Sequence, residues 1–134
     1  MTEQEKKKIL LHAQQGELDA SIVYQRLADQ VYDEEVAERL RHIGSEEARH
    51  AVIFYKMTGE KLQAVDKQAK AACMLYRIIG AKLMYKFLAI KEMNAAYRYA
   101  SIIDDFPKVI QIRLDEENHS RILDELSKKV GYRC

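Results

Sequence analysis

Residues 36–57 read VAERLRHIGSEEARHAVIFYKM, and their apolar positions recur every three or four residues at Val36, Leu40, Ile43, Phe54 and Met57. Glu47 and His50 fall in the middle of the same stripe. These spacings keep all seven side chains on one face of a helix, the face that a folded chain buries. A buried glutamate is costly unless it is paired or coordinates a metal, so a Glu-x-x-His flanked above and below by core residues is informative. The same exception recurs in residues 109–130, where Val109, Ile112, Glu116, His119, Leu123, Leu126 and Val130 form the stripe.

Working outward, two further stripes each carry a single glutamate. One runs Leu10, Ala13, Glu17, Ala20, Tyr24, Leu27, Val31, and the other runs Ile78, Tyr85, Leu88, Glu92, Ala95, Tyr99, Ile102. Breaks between the four helices are sparse. Asp33 supplies a cap after Val31-Tyr32, so one helix ends near Gln30 and the next starts near Glu34. Thr58-Gly59 closes the second helix with a residue tolerant of the left-handed region. Asp104-Asp105-Phe106-Pro107 divides the third from the fourth, and Gly131 ends the last. From Gly59 to Gly80 runs a longer connection, with a short helix of its own expected around residues 66–76.

Two helical hairpins joined by one long crossover give an all-α, ferritin-like four-helix bundle, with the crossover between helices 2 and 3. Within each hairpin the candidate ligands share a level. Glu17 and Glu47 each lie about 15 residues from the first turn, and Glu92 and Glu116 about 13 and 11 from the second, at about 1.5 Å per residue. The predicted site is therefore four carboxylates, Glu17, Glu47, Glu92 and Glu116, and two imidazoles, His50 and His119. This is the donor set of di-iron and di-manganese carboxylate bundles. Oxygen-rich ligation with two imidazoles suits two Fe ions, or Mn, and the lack of thiolate argues against structural zinc. Glu47 and Glu116 are expected to bridge, with Glu17 and Glu92 terminal and one histidine on each ion.

Composition agrees and excludes other classes. The 134 residues suffice for one domain spanning 1–134 without disulfides. Twenty-two basic and 21 acidic side chains leave a net charge of +1, which gives no push toward nucleic acid or membrane. A polar N-terminus carries no signal-peptide pattern, and the apolar stretch from Ile78 to Ile90 is too short to span a bilayer and holds Lys82 and Lys86. Cys73 and Cys134 match no metal or redox spacing, and a reduced, cytoplasmic setting is expected.

The segment Glu46-Glu47-Ala48-Arg49-His50-Ala51, with Phe54-Tyr55 and Thr58-Gly59-Glu60, resembles the second helix of the rubrerythrin and ferritin-like families. Glu17 followed by Tyr24 is similar to the first helix of rubrerythrins, where a tyrosine lies beside the metals. The second half, from Leu75-Tyr76-Arg77-Ile78-Ile79-Gly80 through Glu92 and Tyr97 to Glu116-Glu117-Asn118-His119, looks closest to the rubrerythrin-like domains that precede iron-transporter membrane domains of the vacuolar type. The resemblance covers essentially the whole chain. It implies an oxidoreductase that reduces hydrogen peroxide, or oxidises ferrous iron with dioxygen or peroxide, fed by an external electron donor such as rubredoxin. It also implies a homodimer or larger homo-oligomer, and it makes Tyr24 a candidate catalytic residue.

Three departures qualify that resemblance. Many rubrerythrins carry a further glutamate three residues before the position of Glu92, where this chain has Ala89. No cysteine-ligated rubredoxin-like centre and no membrane domain appear in these residues. Other classes fit the same stripes: a non-catalytic module that buffers or delivers iron, and a metal-free bundle with a buried polar network. Tyr24, Tyr97 and Tyr99 also suit core packing. His12, His42, Glu46, Glu117 and Lys6-Lys7-Lys8 read as solvated, Cys73 as a small buried residue and Cys134 as an exposed thiol.

Overall fold

Two side-chain caps start the first hairpin. Thr2 accepts from the Glu5 backbone N–H while the Glu5 carboxylate accepts from Thr2 N, a reciprocal capping box that opens α1 (Glu3–Asp29). Asp33 accepts from Glu35 N at 3.0 Å and Val36 N at 3.3 Å, and α2 (Glu34–Thr58) follows. Gly59, at φ 71°, ends it in the left-handed region, as the sequence pattern predicts. α3 (Lys67–Ala100) and α4 (Val109–Val130) complete an all-α chain with no strand among the described residues. The computed structural model describes residues 1–130, and the side chain of Val130 lies outside the description, as do Gly131 and Cys134. The fold class is the expected all-α, four-helix one, and residues 59–66 connect the second and third helices.

The chain forms two compact units, residues 1–74 and 75–134. In the first, α1 and α2 pack as a hairpin whose core includes Leu27, Leu40, Ile43 and Phe54, each fully buried. Burying one such side chain contributes about 1.5–3 kcal/mol before chain entropy is counted. Gly44 faces α1 closely: a Cβ there would lie 2.8 Å from Gln25 Nε2 and 3.2 Å from both Ser21 O and Tyr24 Cβ. The second unit buries Met84, Tyr85, Leu88, Ile112, Leu123 and Leu126. Ser120 Oγ donates to the Ala89 carbonyl at 2.8 Å and ties α4 to α3.

Several expectations need correction. α3 begins at Lys67 and bends at Gly80, whose φ of 85° and ψ of 170° are open essentially to glycine alone. The helix expected over 66–76 thus runs on to the kink. That bend resets the helical phase, so Ile78, assigned to the core stripe, is 73% exposed. α3 ends at Ala100, and Ile102 lies in the turn, where its carbonyl accepts from Phe106 N. Pro107 precedes α4 by two residues rather than sitting in its first turn, and buried Phe106 anchors the turn. Tyr99 is buried as a packing residue, but Tyr97 is 68% exposed. Cys73 is half-buried rather than buried. His12 and His42 are exposed as expected, while Glu46, 15% exposed, pairs with His42 and Arg49.

Candidate functional site

Each unit holds one glutamate–glutamate–histidine triad. In the first, Glu17 from α1 meets Glu47 and His50 from α2. The i, i+3 spacing of Glu47 and His50 puts both side chains on the buried face, one turn apart. His50 Nδ1 lies 3.6 Å from Glu17 Oε2 and 3.5 Å from Glu47 Oε1. In the second unit, His119 Nδ1 lies 3.8 Å from Glu92 Oε1 and 3.5 Å from Glu116 Oε1. Within each triad one donor atom per residue falls within 4.8 Å of the others, and none of the six residues is more than 4% exposed.

The donor atoms of each triad are thus gathered into one small volume. The two carboxylates of each triad, held together and shielded from water, repel when both are ionised in a medium of low polarity. A divalent cation among them offsets that repulsion and matches the mixed oxygen and nitrogen donors. The residues present therefore fit a metal of the iron class. A purely structural zinc site would instead draw on cysteine, and Cys73 takes no part in either triad.

The neighbouring residues hold the triads in register. Tyr24 is 3% exposed, two turns beyond Glu17 on the same face of α1, and packs against α2 at Gly44. Gln14, one turn before Glu17 and 2% exposed, was not singled out from the sequence. Its Nε2 donates to Glu60 O at 2.8 Å, and its Oε1 accepts from Thr58 Oγ1 at 2.6 Å. Asp19, also unforeseen and buried, accepts from Val65 N at 2.8 Å and from Gln15 Nε2 at 2.9 Å. A polar residue at a helix position three or four from the apolar stripe is the only trace these contacts leave in sequence. In the second unit Ala89, the position where many rubrerythrins have a glutamate, is buried and accepts the Ser120 hydroxyl through its carbonyl.

An all-α chain in which two Glu-x-x-His helices and two single-glutamate helices bury carboxylate–imidazole clusters has the donor pattern of carboxylate-bridged metalloproteins. The family model for rubrerythrin matches residues 8–129, and the chain belongs to the rubrerythrin family. No curated protein and no solved structure matches it. Among the described residues no helix is long and apolar enough to cross a membrane.

Proposed function

We propose that this protein is a di-iron oxidoreductase that reduces hydrogen peroxide. The observation that carries the reading is the duplicated buried triad in a chain of the rubrerythrin family. In this reading two iron ions are held by six side chains. Glu17, Glu47 and His50 would hold one ion, and Glu92, Glu116 and His119 would hold the other. Manganese could occupy the same donors. Bound as a ferrous pair, the metals supply the two electrons that convert one peroxide and two protons into two waters.

The chain's own residues set the conditions for that chemistry. Burial of the six donors excludes bulk water and strengthens every charge interaction around them. Deprotonated carboxylates and neutral imidazoles are required for binding, so acidification is expected to release metal. By the family resemblance Tyr24 would stand beside the metals, with a phenol able to donate a hydrogen bond. Tyr24→Phe keeps the ring and removes the hydroxyl. Unchanged stability with slower peroxide reaction would mark a chemical role, whereas unchanged kinetics would leave Tyr24 to packing. With two cysteines, these 134 residues hold no four-cysteine iron centre, so the electrons come from a donor outside them.

Oxidation of ferrous iron by dioxygen is the second reading, since the same donors serve it. Anaerobic ferrous loading with metal analysis, then stopped-flow absorbance after peroxide or oxygen, separates the two. Two irons per chain with fast peroxide-driven oxidation supports the peroxidase, and fast oxygen-driven oxidation favours the ferroxidase. Iron without either reaction indicates a binding or delivery module. Failure to take up iron or manganese specifically would sink the metal reading itself.

A further inference from the structure

Charge along the chain is unevenly divided. Each of α1, α2 and α4 carries four lysines and arginines against five carboxylates, a net of −1. α3 carries seven against one, a net of +6, and its single carboxylate is the buried Glu92. All seven α3 cations belong to exposed residues. Beyond the Gly80 kink the helix is also apolar on its outside. Leu83, Phe87, Ile90 and Tyr97 fall at spacings of four, three and seven, which places them on one stripe opposite the buried face, and each is 46–68% exposed. Lys82 and Lys86 flank that stripe on one side, and Lys91 and Arg98 on the other. Lys91 Nζ lies 5.9 Å from the centre of the Phe87 ring, so cation and apolar surface adjoin directly. Beside the stripe a groove of about 430 Å³ opens between α3 and α4, with Lys86, Ile90 and Met93 on one wall and Glu117, Arg121 and Asp124 on the other.

We infer that this outer face of α3 is the docking surface for the electron donor, a small acidic one-electron protein. The inference rests on the proposed function, which requires such a donor. An apolar stripe within a cationic frame fits a transient partner of opposite charge, because the charges speed encounter while the apolar centre holds register. A second copy fits poorly, since a two-fold contact through this stripe would set cations against cations. An anionic lipid surface fits less well too, because Glu117 and Asp124 on the far wall of the groove would face it, whereas a protein of small footprint leaves them at the rim. Placement suits electron delivery. Glu92 projects from the opposite side of the same helix, so a docked donor stands about one helix diameter, ~10 Å, from a candidate ligand. Two encounters, each oxidising one donor molecule by one electron, return the two electrons taken by one peroxide.

The test uses the full chain and a small acidic [2Fe–2S] ferredoxin as probe, with binding read by anisotropy of the labelled ferredoxin. The dissociation constant is expected to weaken about tenfold or more when salt is raised, and by a similar factor in Lys86→Glu with Lys91→Glu at low salt. Reduction of the iron-loaded, peroxide-oxidised protein by reduced ferredoxin should slow in parallel, while reduction by ascorbate should not change. Phe87→Ser, which removes apolar area without altering charge, should weaken binding and leave its salt slope intact. Binding indifferent to salt or to the double variant would overturn the proposal. So would charge-dependent binding to phosphatidylserine vesicles in place of ferredoxin, or a dimer in sedimentation that Phe87→Ser dissolves. Normal iron uptake and peroxide reaction without ferredoxin docking would refute this surface alone. Docking without iron uptake would keep an acidic-partner face and overturn its assignment to electron delivery.

Discussion

Residues 44 and 113 hold the same place in the two halves of the chain, three residues before the glutamate of a Glu-x-x-His pair, and the chain fills them oppositely. Gly44 lets the α2 backbone press against Ser21, Tyr24 and Gln25 of α1, where no Cβ fits without displacement. Arg113 is half-buried and reaches along its own helix to Glu117 at 3.0 Å. The first hairpin is closed tightly above its triad, and the second has a groove alongside Ala89 and Ser120. The triads nonetheless resemble each other, with histidine-to-carboxylate distances of 3.5 and 3.6 Å in one and 3.5 and 3.8 Å in the other. A ligand cluster of this kind is thus set by side-chain phase on two helices and tolerates different helix packing around it.

The strongest way to break the comparison is to remove the paired ligands. Glu47→Ala with Glu116→Ala is expected to abolish stoichiometric iron uptake in metal analysis. If the clusters were only polar networks, the same variant would fold normally, or more stably, with no metal to lose. His50→Ala and His119→Ala taken singly should each lower uptake from two irons to about one, and unequal losses would show that the halves differ in affinity.

Core truncations come next. Phe54→Ala in α2 should cost about 3–5 kcal/mol and Leu123→Ala in α4 about 2–5 kcal/mol, read by denaturant unfolding of the metal-free protein. Gly44→Ala is expected to cost about 1–3 kcal/mol through overpacking. Arg113→Ala should change stability by no more than about 0.5 kcal/mol, because its ion pair is over one-third exposed. Equal effects at 44 and 113 would erase the contrast in packing. Asp33→Ala, which removes the side-chain cap of α2, should cost about 1 kcal/mol. At α4, by contrast, backbone bonds from Val109 N to Phe106 O and from Ile110 N to Pro107 O shape the start, and single side-chain changes there should matter less.

Much of this was legible in the sequence because burying a charge is expensive enough to leave a pattern. Glu17, Glu47, His50, Glu92, Glu116 and His119 stand on apolar stripes, and the structure places all six in the interior. The caps at Asp33 and Gly59 were readable because few residues satisfy those backbone demands. Ile78 was misplaced because a helical stripe has meaning only while the phase is continuous, and Gly80 interrupts it. Gln14 and Asp19 escaped notice because their partners are backbone groups 46 residues away, which no local periodicity records. The overall charge of +1 concealed the cationic α3, since a sum over the chain discards where the charges lie.

Those two residues belong to a row of contacts with a separate consequence. Gln14, Gln15, Asp19 and Arg26 of α1 hold Glu60, Gln63, Val65 and Asp66 in turn, the last through an ion pair at 3.4 Å. The segment after Gly59 is measured against α1 much as a tape is against a ruler. An inserted residue would move every later mark out of line, so a stretch that looks in sequence like a permissive linker should resist changes in length. Substitution at its exposed side chains should be freely accepted, because the marks are mostly backbone atoms. Natural or engineered variation here is therefore expected to alter spelling but conserve spacing.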